Sequence, residues 1–122
     1  MLKNVKILCV DDAPINLMLF EINFSEKYTV ITAESGWSGL EILDRQPDIL
    51  IVFSDMKMPN MNGIEFIEKA KEKFPDKKFF ILTGFETTTE IQSAIDSGLI
   101  LKCFRKPFNI KEMDDAILEV IG

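Results

Sequence analysis

Five polar side chains stand where apolar runs stop. Asp11 and Asp12 follow Lys6–Val10, Asp55 follows Ile49–Phe53 and one serine, Thr83 follows Lys78–Leu82, and Lys106 follows the run from Leu99 to Phe104. Three carboxylates brought together repel one another and need positive charge beside them. Lys106 is one source and a divalent cation is the other. The chain contains no histidine, which removes imidazole acid–base catalysis, His-ligated zinc and any phosphohistidine of its own. An all-oxygen donor set selects hard Mg²⁺, with Mn²⁺ as the alternative, over zinc. Such a set suits phosphoryl transfer to Asp55, which needs mainly positioning and charge stabilisation. A carboxylate nucleophile giving an aspartyl-phosphate is established chemistry. Thr83 adds a hydroxyl able to grip the new phosphoryl group.

These residues work together only if the elements before them end on one edge. A short β-branched-rich run between turn residues reads as a strand buried on both faces. Such runs occur at Lys6–Val10, Tyr28–Ala33, Ile49–Phe53, Lys78–Leu82 and Leu99–Phe104. Helical patterns alternate with them. The first opens at Ala13-Pro14, where proline suits a first turn, and extends to Glu26. Its apolar residues, Ile15, Leu17, Met18, Leu19, Phe20, Ile22 and Phe24, exceed one stripe, so the helix is either deeply buried or awaits a partner. The others are Trp37–Arg45, Ile64–Lys73 with Ile64, Ile67 and Ala70–Lys71 at helical spacing, Thr88–Ser97 stopped by Gly98, and a last helix capped by Asn109 with Glu112 three residues on. Alternation of this kind implies parallel strands, right-handed crossovers and helices on both faces. In open α/β sheets ligands bind outside the carboxyl ends of the strands, where Asp55 stands.

The bulk properties agree. A chain of 122 residues with 47% hydrophobic and 28% charged content fits one globular domain, residues 1–122. A net charge of −6 argues against direct nucleic-acid binding. No apolar run approaches the ~20 residues of a membrane span, and the N-terminal residues lack the pattern of a signal peptide. A cytoplasmic location is expected. Each polar residue also has a plainer reading: Asp12 as a helix cap, Thr83-Gly84 as a turn, Lys106 as a surface lysine. Their joint placement at the ends of four of the five strands is the stronger signal.

Taken together, Val10-Asp11-Asp12, Asp55-Met56-Lys57-Met58-Pro59 with Gly63, Thr83-Gly84 and Lys106-Pro107-Phe108 resemble the motifs of bacterial two-component response regulator receiver domains, the chemotaxis type above all. The resemblance covers the whole chain. It implies a doubly wound, flavodoxin-like (βα)5 three-layer sandwich with a five-stranded parallel sheet in the order 2-1-3-4-5. It implies Asp55 as phosphoacceptor, and Asp11, Asp12, Asp55 and the Lys57 backbone carbonyl as holders of Mg²⁺. Thr83 and Lys106 would contact the phosphoryl group, and the Lys106–Pro107 bond would be cis. The donor would be a phosphohistidine on a sensor histidine kinase. The output would be a shift in the face of helix four, strand five and helix five, read by an effector domain or protein. That face contains Glu90, Gln92, Ser93, Asp96, Lys102 and Arg105, whose mixed charges allow homodimerisation. The apolar first helix is the other candidate dimer surface.

The pattern departs from the family at Cys103, where a Tyr or Phe usually couples to the threonine. Phe104 beside it is the candidate replacement. Lys57 and Phe85 are candidate determinants of phosphoryl lifetime, Lys57 through its charge and Phe85 by slowing water. Lys57 is equally readable as an exposed loop lysine. In the implied strand order Cys9 and Cys103 lie on strands three positions apart, about 14 Å, too far for a disulfide. The competing reading is a phosphorylation-independent interaction module. A phosphatase enzyme would need a second acid two residues after the nucleophile, where Lys57 stands, so no turnover is expected beyond the chain's own phosphorylation and dephosphorylation.

Overall fold

Strand and helix alternate through the computed structural model, which describes residues 4–84 and 87–122. In chain order the elements are β1 (Lys6–Val10), α1 (Pro14–Phe24), β2 (Thr29–Ala33), α2 (Gly36–Arg45), β3 (Ile51–Asp55), α3 (Gly63–Lys73), β4 (Lys78–Thr83), α4 (Thr89–Asp96), β5 (Lys102–Arg105) and α5 (Ile110–Ile121). All strand pairings are parallel and the order is β2-β1-β3-β4-β5. This is the expected flavodoxin-like sheet.

Side chains alternate across a strand, and the sheet uses both faces. Val52 joins a core with Leu43 of α2, Phe66 and Ile67 of α3 and Ile91 of α4. Ile51 and Phe53 join Leu17, Phe20 and Phe24 of α1 with Met113 and Ile117 of α5 on the other side. Three layers result. Helix starts are fixed locally. Asn62 and Glu65 form a reciprocal capping box at α3, each bond 2.9 Å, while Ser35, Thr88 and Asn109 cap α2, α4 and α5.

Several boundaries differ from expectation. Helix α1 stops at Phe24 rather than Glu26, because Lys27 and Tyr28 turn their amides back to the Phe24 carbonyl. Strand β3 starts at Ile51, since the Ile49 amide is taken by Gln46. Strand β5 starts at Lys102, not Leu99: the Leu99 and Ile100 amides both finish α4 on the Ala94 carbonyl, through Gly98 at φ 82°. A left-handed residue is the usual helix stop, and glycine adopts it without strain. Lys71 does not face the core; its Nζ donates to the Gly98 carbonyl at 2.7 Å.

Helix α1 resolves into two stripes. Leu17, Phe20 and Phe24 are buried, whereas Ile15, Met18, Leu19 and Ile22 are 43–65% exposed. Spacing of three and four residues places the exposed four on one face. No helix among the described residues is long and apolar enough to cross a membrane.

Candidate functional site

Parallel pairing carries the ends of β1, β3, β4 and β5 to one edge, and the five polar residues arrive with them. Asp11 is fully buried and Asp55 is 6% exposed, whereas Asp12 is open to solvent. One carboxylate oxygen from each of the three lies within 4.8 Å of the others. The Lys106 ammonium bridges two of them, at 3.0 Å from Asp11 Oδ2 and 3.1 Å from Asp55 Oδ1. These ion pairs join residues 95 and 51 positions apart.

Asp11 is held from three directions. Its Oδ1 accepts the Ala13 amide at 2.9 Å, and its Oδ2 accepts both Lys106 and the Asn16 side-chain amide, the latter at 3.2 Å. The cap position of α1 is Ala13, which has no capping side chain. Asp11, not Asp12, thus serves the first free amide of this turn. Lys106 is aimed by its backbone: the Lys106–Pro107 bond is cis, and the Lys106 amide donates to the Thr83 carbonyl at 2.7 Å. Thr83 itself is buried at the end of β4.

Electrostatics follow from this crowding. Burial, then the Asp11 charge, raises the Asp55 carboxyl above its ordinary value, and the Lys106 hydrogen bond only partly opposes them. Burial works against the charge on Lys106, but the Asp11 and Asp55 carboxylates outweigh it and hold the ammonium more firmly protonated than usual. Lys106 contacts two of the three clustered carboxylates. The donor set is oxygen only, part buried and part open, which fits a hard divalent cation that keeps some of its water.

The remaining expected residues are placed as follows. Lys57 is exposed on the loop after β3. A cleft of about 300 Å³ beside Asp55 is lined by Met56, Met58, Thr83 and Ile91, among others. Phe85 lies outside the described residues. Cys103 is half-buried and packs with the α2–α4 core, and burial raises its thiol. Phe104, one residue on, points to the opposite face, with ring centroids 5.7 Å from Phe80 and 6.1 Å from Phe53. Strand alternation makes the two face opposite layers, so Phe104 is a core aromatic and does not occupy the place of Cys103. Cys9 and Cys103 are both free thiols. Two contributors escaped the sequence reading: Asn16, and Ser54, whose buried hydroxyl donates to the Asp55 carbonyl at 3.0 Å. Asn16 falls in the first turn after an acidic pair, a weak but usable signal. Ser54 is hidden within a buried strand.

Comparison with known proteins identifies the family and the fold. Residues 7–118 match the family model described as the response regulator receiver domain. The chain is 34% identical over 116 residues to sporulation initiation phosphotransferase F of Bacillus subtilis, covering 93% of this chain and 91% of that one. It superposes on a response regulator receiver domain protein from Clostridium thermocellum with a TM-score of 0.89 at 29% identity, covering 96% and 94% of the two chains. It also superposes on the response regulator TrrA from Thermotoga maritima, solved in complex with Mg(2+)-BeF, with a TM-score of 0.82 at 26% identity and 95% and 98% coverage.

Proposed function

The chain belongs to the response regulator receiver family, and from that premise we propose that Asp55 accepts a phosphoryl group from a phosphohistidine on a sensor histidine kinase. The observation that carries this reading is the Lys106 ammonium held between buried Asp11 and Asp55. That arrangement keeps the nucleophile oriented and places a cation where phosphoryl oxygens would arrive.

In the reaction an Asp55 carboxylate oxygen attacks phosphorus, the P–N bond to the donor imidazole breaks, and the bond pair leaves with the nitrogen. Lys106 turns from Asp55 to a phosphoryl oxygen while Asp11 keeps hold of it. The Thr83 hydroxyl donates to a second oxygen. Asp11, Asp12, Asp55 and the Lys57 carbonyl would hold Mg²⁺, which when bound offsets charge on the phosphoryl oxygens. Exposed Asp12 keeps this edge open to a donor. Lys57 and Phe85 tune how long the phosphoryl group survives.

The new group adds about −1.5 to −2 charges and three acceptors. It shifts a conformational equilibrium as far as it binds the two states differently. The responding surface is the α4–β5–α5 face, where Glu90, Gln92, Ser93, Asp96, Lys102 and Arg105 are all exposed, ready for an effector or a second copy. The exposed stripe of α1, which begins three residues after Asp12, is the other partner surface. A second reading, an interaction module that needs no phosphorylation, draws its support from Cys103 in place of a switching aromatic. Incubation with acetyl phosphate and Mg²⁺ separates the two. One phosphate on Asp55, absent from Asp55→Asn, is the expected result, and an unlabelled wild-type protein would sink the first reading.

A further inference from the structure

The Asp55 carboxylate faces Asp11 and Lys106 on the α1–α5 side of the sheet. Its backbone is gripped from the other side. Ser54, fully buried, points toward the α2–α3 layer and donates its hydroxyl to the Asp55 carbonyl at 3.0 Å. Gly63, the first residue of α3, is pressed against the same carbonyl. A Cβ there would enter the contact distance of the Asp55 oxygen, and would lie 2.8 Å from Ile81 Cδ1 and 3.0 Å from Met56 Cα. The next peptide is fixed as well: the Met56 amide donates to the Leu82 carbonyl at 2.9 Å, and the Met56 carbonyl accepts the Gly63 amide at 2.8 Å.

We infer that Ser54 and Gly63 are positioning residues, a clamp on the Asp55–Met56 backbone that sets the direction of the Asp55 carboxylate. Neither touches the reacting atoms. Their effect passes through the Asp55 carbonyl, since rotating that peptide swings the Cα–Cβ bond and with it the carboxylate. Ser54 supplies the attractive half of the clamp. Gly63 supplies the close approach, because the space above the carbonyl admits a hydrogen and no methyl group. The capping box of Asn62 and Glu65 fixes where α3 begins and therefore where Gly63 sits.

The inference rests on Asp55 being the phosphoacceptor, and its test is built to fail separately from that reading. Ser54→Ala, Ser54→Thr and Gly63→Ala are compared with wild type for acetyl phosphate labelling of Asp55 across donor concentration, and for the Asp55 carboxyl-carbon NMR resonance. Ser54→Ala should lower the maximal labelling rate about three- to tenfold, the scale of one net hydrogen bond, with half-saturating donor unchanged. Ser54→Thr should restore it. Gly63→Ala should cost about a hundredfold, as a displacement near 1 Å does. A clamp that only stabilised the fold would lower the thermal midpoint and leave rate and resonance alone, and that result overturns the inference. If wild type takes no label, the proposed function falls and the resonance decides: it must shift in Ser54→Ala and return in Ser54→Thr. An unshifted resonance overturns the clamp whatever the labelling shows.

Discussion

The residues that lead into the strands and those that leave them are built on opposite rules. On the leading side several charges are matched by partners of their own. Asp48 meets Lys6 at 2.9 Å. Asp114 of α5 takes Lys27 at 2.7 Å and the Tyr28 hydroxyl at 2.5 Å. Buried Lys77 donates to the Pro47 and Ile49 carbonyls at 2.6 and 2.5 Å, tying the approach to β3 to the approach to β4. On the leaving side one ammonium bridges two of three clustered carboxylates. The same residue type therefore titrates in opposite directions. The Lys6 hydrogen bond holds Asp48 below the usual carboxylate range. At Asp114 burial pushes up, but the Lys27 and Tyr28 donors outweigh it and hold it low. Burial and Asp11 hold Asp55 high. Matched charges stabilise a fold; unmatched ones are available to a ligand.

The largest effect expected from breaking this contrast is at the leaving side. Lys106→Met should lower acetyl phosphate labelling of Asp55 by about a hundred- to a thousandfold, the usual loss when one transition-state donor is removed. Initial rates measured against Asp55→Asn as background check it. Rates within a few-fold of wild type would show that the ammonium is not part of the reaction.

Mg²⁺ should sharpen the contrast next. Asp55 has a raised folded-state value, so its stabilising contribution is present below the unfolded carboxylate range and lost as pH rises through the raised value. At neutral pH the cluster is a cost that a cation relieves. Thermal unfolding at pH 7 should therefore show stabilisation of about 3 kcal/mol at a hundred times the dissociation constant, fading as acid protonates Asp55. Equal stabilisation at pH 7 and pH 4 would place the ion elsewhere.

Lys77→Met tests the leading side. It leaves two carbonyls without their donor and should cost about 2 kcal/mol in urea unfolding, with labelling of Asp55 unchanged. A labelling defect in that variant would mean that the two sides of the sheet are coupled.

The smallest change is Tyr28→Phe, which removes one donor to Asp114 and should cost about 1 kcal/mol at pH 7. Asp114 has a depressed folded-state value, so its contribution is present above the unfolded carboxylate range and lost as pH falls through the lower value. The gap between variant and wild type should close on acidification. A gap independent of pH would assign the loss to packing rather than to the Asp114 charge.

Much of the leaving side was legible because its signals are local. Apolar runs ending in Asp11, Asp55, Thr83 and Lys106 mark strand ends, and a parallel sheet sends such ends to one edge. The leading side was not legible. Nothing local pairs Tyr28 with Asp114, 86 residues away, and Lys77 reads as one of several lysines before β4. Cys103 and Phe104 show the same limit at shorter range. Their adjacency in sequence made Phe104 the candidate for the aromatic missing at Cys103, but strand alternation sends Phe104 to the opposite layer.

For Asp55, the sequence determined its residue type, its place at the end of a buried strand, and the motifs that assign the chain to its family. These depend on side-chain period and turn chemistry within a few residues. The tertiary structure alone decided that Lys106 touches both Asp11 and Asp55, that Asn16 holds Asp11, and that Ser54 and Gly63 grip the Asp55 carbonyl from behind. Those contacts are set by the register between strands and the seat of each helix on the sheet, and such packing has no signature in the spacing of residues along the chain.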